Sequence, residues 1–327
     1  MRAVRVHELT GPAALRVDDD VPEPTVGPGQ VLIEVRAAGV NFPDVLLTRG
    51  MYQFKPTLPF SPGGECAGVV RAVGAGVGSV AVGDRVAATV LHGGYVEQIC
   101  VPELAVVKLP DEVGFEVGAA TLLTYATTYH ALVDRAAIAA GESLLVLGAA
   151  GGVGVAACEL GAALGARVIA AASSDDKLAF CRAHGAAETI NYATEDLKDR
   201  VKALTAGNGV DVVYDPVGGG LAEAALRGTA WQGRYLVIGF ASGEIPKIPL
   251  NLVLLKGCQI VGVFWGSFAM REPTKNRAHA AQIFRWVVEG KLRPAIDEVL
   301  PFERAAEALA RLEQRKVKGK LVLVPAR

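Results

Sequence analysis

The stretch Ser143 to Gly165, SLLVLGAAGGVGVAACELGAALG, constrains the fold more than any other part of the chain. Its apolar run Leu144 to Leu147 is bounded by glycine and too short for a helix, which predicts a strand buried on both faces. A glycine-rich turn follows. Val155, Cys158, Glu159, Ala162 and Ala163 then recur at helical spacing among small residues, so a closely packed helix runs to Gly165. Ala166 to Ala172 is a second apolar strand. A β-turn-α-β unit of this kind rests the pyrophosphate of a dinucleotide on the helix N-terminus. The glycines depart from the G-x-G-x-x-G spacing, with Ala149 where the first would stand, followed by Gly151 and Gly154. The pattern counts here because it lies between a buried strand and a small-residue helix.

The end of the second strand discriminates between dinucleotides. An NAD site places an acid there to hold the ribose 2′-OH, and that acid would repel a 2′-phosphate. This chain has Ser173 and Ser174, with Asp175 and Asp176 just beyond. Ser173-x-x-Asp176 reads as a capping box opening a helix from Asp175 to His184, which puts both aspartates in its first turn, where the helix dipole favours acids. Lys177 is close enough to face a phosphate as a point charge. The reading is NADPH rather than NADH.

Composition excludes several other classes. The 327 residues carry a net charge of -1, with Lys and Arg scattered, so nothing points to nucleic acid or an acidic partner. Hydrophobic residues make up 51% of the chain, but the apolar runs are short and no window of the length needed for a membrane span exists. The N-terminus, MRAVRVHELTG, lacks an apolar signal region, so a cytoplasmic protein is expected. The five cysteines, Cys66, Cys100, Cys158, Cys181 and Cys258, are far apart with no C-x-x-C pair, which suits reduced, buried thiols and argues against a structural zinc lobe.

Residues 1–124 read as β-rich: Leu15 to Val17, Val31 to Ala37, Cys66 to Val73, Arg85 to Val90 and Tyr95 to Val101 are short runs separated by Gly, Pro and Asp clusters, the pattern of a barrel-like fold. From 125 to 263 strands and helices alternate. The strands Leu144 to Leu147, Arg167 to Ala171, Glu188 to Ile190, Asp211 to Tyr214, Arg234 to Ile238 and Gln259 to Val263 make one doubly wound parallel sheet. Residues 264–327 hold a helix with Ile283, Phe284, Trp286 and Val287 on its apolar side, a helix from Glu303 to Arg315, and a strand Lys320 to Val324 that returns to the first domain.

The stretch Ala37 to Gly50, AAGVNFPDVLLTRG, then Met51-Tyr52, Leu58 to Gly68 (LPFSPGGECAG), the Gly83-Asp84-Arg85-Val86 turn and the dinucleotide unit together resemble the medium-chain dehydrogenase/reductase superfamily over nearly the whole chain. The resemblance implies an α/β chain with a Rossmann doubly wound parallel sheet plus a β-rich GroES-like barrel catalytic domain. Where zinc alcohol dehydrogenases of that superfamily carry a cysteine and a histidine, this chain has Asn41 and Gly64, so the metal has lost its ligands. The zinc-independent branch it most resembles is the NADPH:quinone oxidoreductase group. Asn41, Asp44 and Tyr52 match that group's substrate-cleft positions, while Leu46 replaces a frequent tyrosine and makes the pocket more apolar. The resemblance also implies cofactor contacts at Asn41, Thr127, Gly151, Gly152, Val153, Ser173, Ser174, Lys177, Tyr192, Val217, Phe240, Phe264, Lys318 and Lys320, and a homodimer through the segment Ile260 to Trp265.

The activity implied is hydride transfer from NADPH to a quinone or another conjugated carbonyl, with the cofactor carrying the chemistry and the protein orienting it. Asn41 and Tyr52 would donate to the oxygen that gathers charge, Tyr52 or solvent would return the proton, and Asp44 would orient. Relatives that reduce enoyl or acrylyl thioesters or enones, and crystallin-like or RNA-binding relatives, remain alternatives. Structural roles stand beside the chemical ones: Asn41 and Asp44 also suit a helix cap, and Tyr52 and Tyr192 also suit packing.

Overall fold

The computed structural model describes residues 1–326 and divides into two units. The first comprises residues 1–123, 272–290 and 294 to the end, and the second residues 124–271 with 291–293. Trp265–Arg271 therefore belongs to the second unit, whereas the sequence reading began the return to the first at 264.

The first unit opens with the antiparallel pair β1 (Ala3–Val6) and β2 (Leu15–Asp18). The long strand β3 (Gln30–Val40) alternates along its first half, burying Val31, Ile33 and Val35, and then runs buried through Ala37, Ala38, Gly39 and Val40. That switch from period two to continuous burial marks where the strand passes from the sheet surface into the interior. After α1 (Phe42–Thr48), strands β4 (Glu65–Val73), β5 (Arg85–Thr89), β6 (Gln98–Pro102) and β7 (Val106–Lys108) follow, and α2 (Phe115–Tyr129) begins in this unit. β4 and β6 both pair antiparallel with β3, the former from Val31↔Val73 to Gly39↔Glu65.

In the second unit the apolar runs form a six-stranded sheet in the order β10-β9-β8-β11-β12-β13, every pairing parallel. The elements are β8 (Ser143–Leu147), α3 (Gly152–Ala163), β9 (Arg167–Ala172), α4 (Asp175–Ala183), β10 (Glu188–Asn191), α5 (Leu197–Leu204), β11 (Val210–Asp215), α6 (Leu221–Arg227), β12 (Thr229–Val237), α7 (Leu250–Lys256), β13 (Gln259–Gly262) and α8 (Trp265–Arg271). β8 is buried at every residue, as a central strand covered on both faces must be. The chain reverses direction across the sheet between β8 and β11, the place where doubly wound sheets bind nucleotides. β12 is longer than the apolar run Arg234 to Ile238 suggested, because exposed Trp231 and Gln232 interrupt its pattern.

The chain re-enters the first unit with α9 (Pro273–Val288) and finishes there with β14 (Ile296–Pro301), α10 (Ala305–Glu313) and β15 (Lys320–Val324). β15 lies antiparallel to β3, with Leu321 opposite Val40, so the last strand completes the sheet begun by the first long one. One core, with Ile33, Val35, Tyr95, Phe302 and Leu323, fills one side of that sheet. On the other, small residues Ala37, Ala67 and Ala87 let α2 and α9 approach through Ala119, Ala120, Ala280 and Phe284. Among the described residues no helix is long and apolar enough to cross a membrane.

Candidate active site

The turn from β8 to α3 needs glycine at two places, and the sequence reading named only one of them. Gly148 has φ +59°, a conformation L side chains rarely adopt, so it makes the tight turn expected of the first fingerprint glycine one residue further on. Ala149 in its place is fully buried and donates its N–H to Ala171 O of β9 at 3.1 Å. At Gly154 an added Cβ would lie 2.4 Å from Gly148 O and 2.7 Å from Ala149 Cα, so the glycine is what permits close packing of helix on strand. Gly151 is the N-cap of α3, and Gly152 and Val153 open the helix, where the first N–H groups have no intrahelical acceptor. Amides placed in this way, at the start of the helix in a β-turn-α unit, are able to hold an anion.

At the end of β9, Ser173 is exposed and Lys177 Nζ lies 3.4 Å from its Oγ. Asp175 and Asp176 stand in the first turn of α4, and Asp175 Oδ1 accepts from Asn191 Nδ2 at 2.8 Å. The N-cap of α4 is Ser174, not Ser173, and the Ser174 side chain makes no cap bond. Tyr192, just after β10, is half-buried and packs in part against the sheet core. At the end of β11, Asp215 Oδ1 accepts the N–H groups of Val217 at 2.7 Å and Gly218 at 2.9 Å, and Tyr235 Oη donates to Asp215 Oδ2. Asp215 thereby fixes the loop on which Val217 sits. A Cβ on Gly148 would fall 2.8 Å from Val217 Cγ2, so Val217 lies directly over the glycine turn. The hydroxyls of Thr128 and Tyr214 bond at 2.8 Å beside Val153 O, with Thr127 one residue before. Phe240 contacts Gly218, and Phe264 is 63% exposed. Thr127, Gly151, Gly152, Val153, Ser173, Ser174, Lys177, Tyr192, Val217, Phe240 and Phe264 all belong to the second unit.

In the first unit the residues expected at the substrate site lead into two buried carboxylates. Asp44, in the first turn of α1, accepts from Asn41 N at 2.8 Å, Gly63 N at 3.1 Å and Tyr95 Oη at 2.7 Å. It ties the helix start to the Pro62-Gly63-Gly64 segment, and the reciprocal backbone bond makes Asn41 the N-cap. Burial pushes the Asp44 carboxyl up from 3.8 to about 6, against the opposing pull of the Tyr95, Asn41 and Gly63 donors and the Lys320 charge, which leaves it ionised at neutral pH. Tyr52 is half-buried, and burial followed by the Asp44 charge raises its hydroxyl pKa, keeping the proton on. The second carboxylate, Glu65, was not singled out in the sequence. It is wholly buried at the start of β4, and its Oε1 accepts from Lys320 Nζ at 2.8 Å and Asn41 Nδ2 at 2.9 Å, its Oε2 from Leu123 N at 2.8 Å.

Two expected ligand contacts change in this light. The Asn41 amide gives one N–H to Glu65 and the other to Gly39 O at 3.3 Å, and its Oδ1 accepts a hydrogen bond from Lys320 Nζ at 2.5 Å. Lys320 also donates to Val40 O at 2.8 Å, so its ammonium protons are matched by Val40, Asn41 and Glu65 and none is left for a cofactor phosphate. Lys318, two residues earlier, is half-buried. Nor does this arrangement fit zinc: Gly64 has no side chain, Asn41 and Glu65 are committed to an ammonium, and no cluster of three His, Cys, Asp or Glu occurs among the described residues.

Residues 27–111 match the family described as alcohol dehydrogenase GroES-like domain, and residues 152–281 the family described as zinc-binding dehydrogenase. The chain is 39% identical over 325 residues to a quinone oxidoreductase-like protein 2 homolog from Nematostella vectensis, covering 98% of this chain and 88% of the relative. Human quinone oxidoreductase is 35% identical, with 94% and 92% covered. Among solved structures, Escherichia coli quinone oxidoreductase complexed with NADPH superposes with a TM-score of 0.94 at 29% identity, covering 99% of this chain and all of the other.

Proposed function

The chain belongs to the quinone oxidoreductase group of the medium-chain dehydrogenase/reductase superfamily, and from that premise we infer that it is an NADPH-dependent enzyme that passes a hydride to a quinone. The observation that carries the reading is the end of β9, where a serine hydroxyl and a lysine ammonium stand in the place of an acid. NADPH is the cofactor, and when bound it supplies the hydride.

The protein's own part is to bind and orient. The amides at Gly151, Gly152 and Val153 would hold the pyrophosphate at the helix N-terminus, and Ser173, Ser174, Lys177 and Tyr192 would hold the 2′-phosphate. Thr127, Val217, Phe240 and Phe264, all of the second unit, would flank the rest of the cofactor. Negative charge gathers on the quinone oxygen as hydride arrives. Tyr52 is the donor we assign to it, because its proton is retained and the Asn41 N–H groups are already engaged. Asn41 and Asp44 keep their place in the site as positioning residues. The reaction needs no metal, in accord with the unsuitable donor set at Asn41 and Gly64. A cytoplasmic location is part of the reading, supported by five cysteines that all remain free thiols, the usage of a reducing compartment.

Purified protein is expected to oxidise NADPH rapidly with 1,4-benzoquinone, slowly with a crotonyl thioester, and at least ~10-fold less efficiently when NADH replaces NADPH. A preference for the thioester would move the chain to the enoyl reductases, and turnover of neither acceptor would overturn the enzyme reading.

The homodimer belongs to this proposal as well. β13 ends its sheet with an unpaired edge, and Ile260, Phe264, Leu250, Leu254 and Leu255 are 39%, 63%, 74%, 79% and 71% exposed. An open edge beside so much exposed apolar surface favours pairing with a second copy. Leu254→Glu combined with Leu255→Glu is expected to halve the mass seen by sedimentation, and a wild-type chain that sediments as a monomer at micromolar concentration would remove the dimer.

A further inference from the structure

Glu65 and Lys320 are joined by a 2.8 Å ion pair, 0% and 3% exposed, in a part of the first unit where the proposed reaction assigns them no chemistry. Their partners are not spread at random. Lys320 reaches from β15 to Val40 O and Asn41 Oδ1, the last residue of β3 and the cap of α1. Glu65 reaches from β4 to the Asn41 amide and to the N–H of Leu123 in α2. The junction between β3 and α1 is therefore gripped from both neighbouring strands. Gly39 makes this possible, because a Cβ there would stand 2.5 Å from Glu65 Oε1 and 2.1 Å from Ala119 O.

We propose that the Glu65–Lys320 pair is a positioning device, which acts through Asn41 to hold the substrate-site segment that runs on through Asp44 to Tyr52. The inference rests on the reading of that segment as part of a quinone-reducing site. Three features carry it. The pair is internally neutral, so it presents no net charge to a ligand. Its donors and acceptors are turned on one another and on the junction, so contact with substrate is not its task. A buried ion pair is also a poor way to gain stability, since apolar residues of similar size do as well, and its distinctive contribution is a unique geometry. The Asn41 amide has each of its polar atoms fixed by it or by the strand backbone, leaving one orientation.

The test compares the neutral pair Glu65→Gln/Lys320→Gln, the variant Asn41→Ala, and the two combined. Expected are NADPH affinities by fluorescence within ~2-fold of wild type for all three, with kcat on 1,4-benzoquinone lowered ~10–100-fold in each and no further loss in the combination. Wild-type kcat in the neutral pair, or additive losses in the combination, would overturn the proposal. A second readout does not depend on turnover: the side-chain amide protons of Asn41, followed by 15N NMR, should exchange slowly in wild type and at least ~10-fold faster in the neutral pair. Fast exchange in the wild-type protein would equally overturn it. If wild type turns over no quinone, the functional reading fails, while the amide exchange still decides the positioning. Should the neutral pair not fold, Lys320→Arg keeps the charge but not the three-way geometry, and unchanged kcat there overturns the proposal.

Discussion

Replacing Lys320 with methionine is expected to destabilise the protein by ~3–5 kcal/mol, read as a fall in the midpoint of denaturant unfolding at neutral pH. Methionine conserves most of the volume of the lysine stem, so the loss is electrostatic rather than a cavity. Glu65 would be left as a carboxylate with no exposed surface and no cation, and the Asn41 and Leu123 N–H groups alone cannot replace the solvation that burial removed. The companion Lys320→Met/Glu65→Gln removes the stranded charge and should recover the greater part of that loss. A single variant that loses less than ~1 kcal/mol would mean that leaving Glu65 without its cation costs little, contrary to what its full burial implies. Urea and thermal unfolding must agree on the order of the variants, since two units of one chain need not unfold in a single step.

The parts of this molecule that were legible in the sequence are those in which a local pattern decides the structure. Leu144 to Leu147 became a central strand because an apolar run bounded by glycine has few other fates, and Lys320 to Val324 was located to the residue as β15. The glycine turn was legible in kind but not in detail. Counting from the fingerprint put Ala149 at the critical place, whereas the positive φ belongs to Gly148, and the G-x-x-G-x-x-G spacing of Gly148, Gly151 and Gly154 was the signal available. Ser173 and Ser174 both suit an N-cap, and only the backbone path separates them.

The buried pair in the first unit was not legible, for a different reason. Lys and Glu are almost always exposed, so each alone reads as a surface residue. What brings them together is register: Val40 lies opposite Leu321, and Gly39 opposite Glu65, so two strands far apart in the sequence deliver their charges to Asn41, the residue just after β3. Long-range pairing of this kind leaves no local trace. A weak hint was present in Gly39, whose lack of a side chain two residues before Asn41 leaves room for a carboxylate. The same argument covers Asp44 and Tyr95, which suit a helix cap and a packed aromatic in the sequence but meet at 2.7 Å in the fold.

Introducing an acid at Ser173 is expected to change which dinucleotide the enzyme uses. In Ser173→Asp the efficiency with NADPH should fall by ~100-fold, equivalent to about 2.7 kcal/mol, while that with NADH is retained or rises. The residue follows directly after β9 and is exposed, so the new carboxylate would stand where an NAD site holds the ribose hydroxyls. It would act twice. It would repel a 2′-phosphate, and it would attract the Lys177 ammonium, which already lies 3.4 Å from the Ser173 hydroxyl and would then be partly neutralised. Asp175 does not play this part in the natural protein, because its carboxylate is held by Asn191. Exposure limits the size of the effect, and salt should diminish it: the NADPH-to-NADH preference of the wild-type enzyme is expected to narrow as ionic strength rises beyond ~0.15 M, since the discriminating charges are screened there. The measurement is kcat/KM for both cofactors with one quinone, across a salt series, for wild type and Ser173→Asp. A cofactor ratio that moves less than ~3-fold on substitution would show that the 2′-phosphate is recognised elsewhere in the second unit, and it would detach the NADPH assignment from the end of β9.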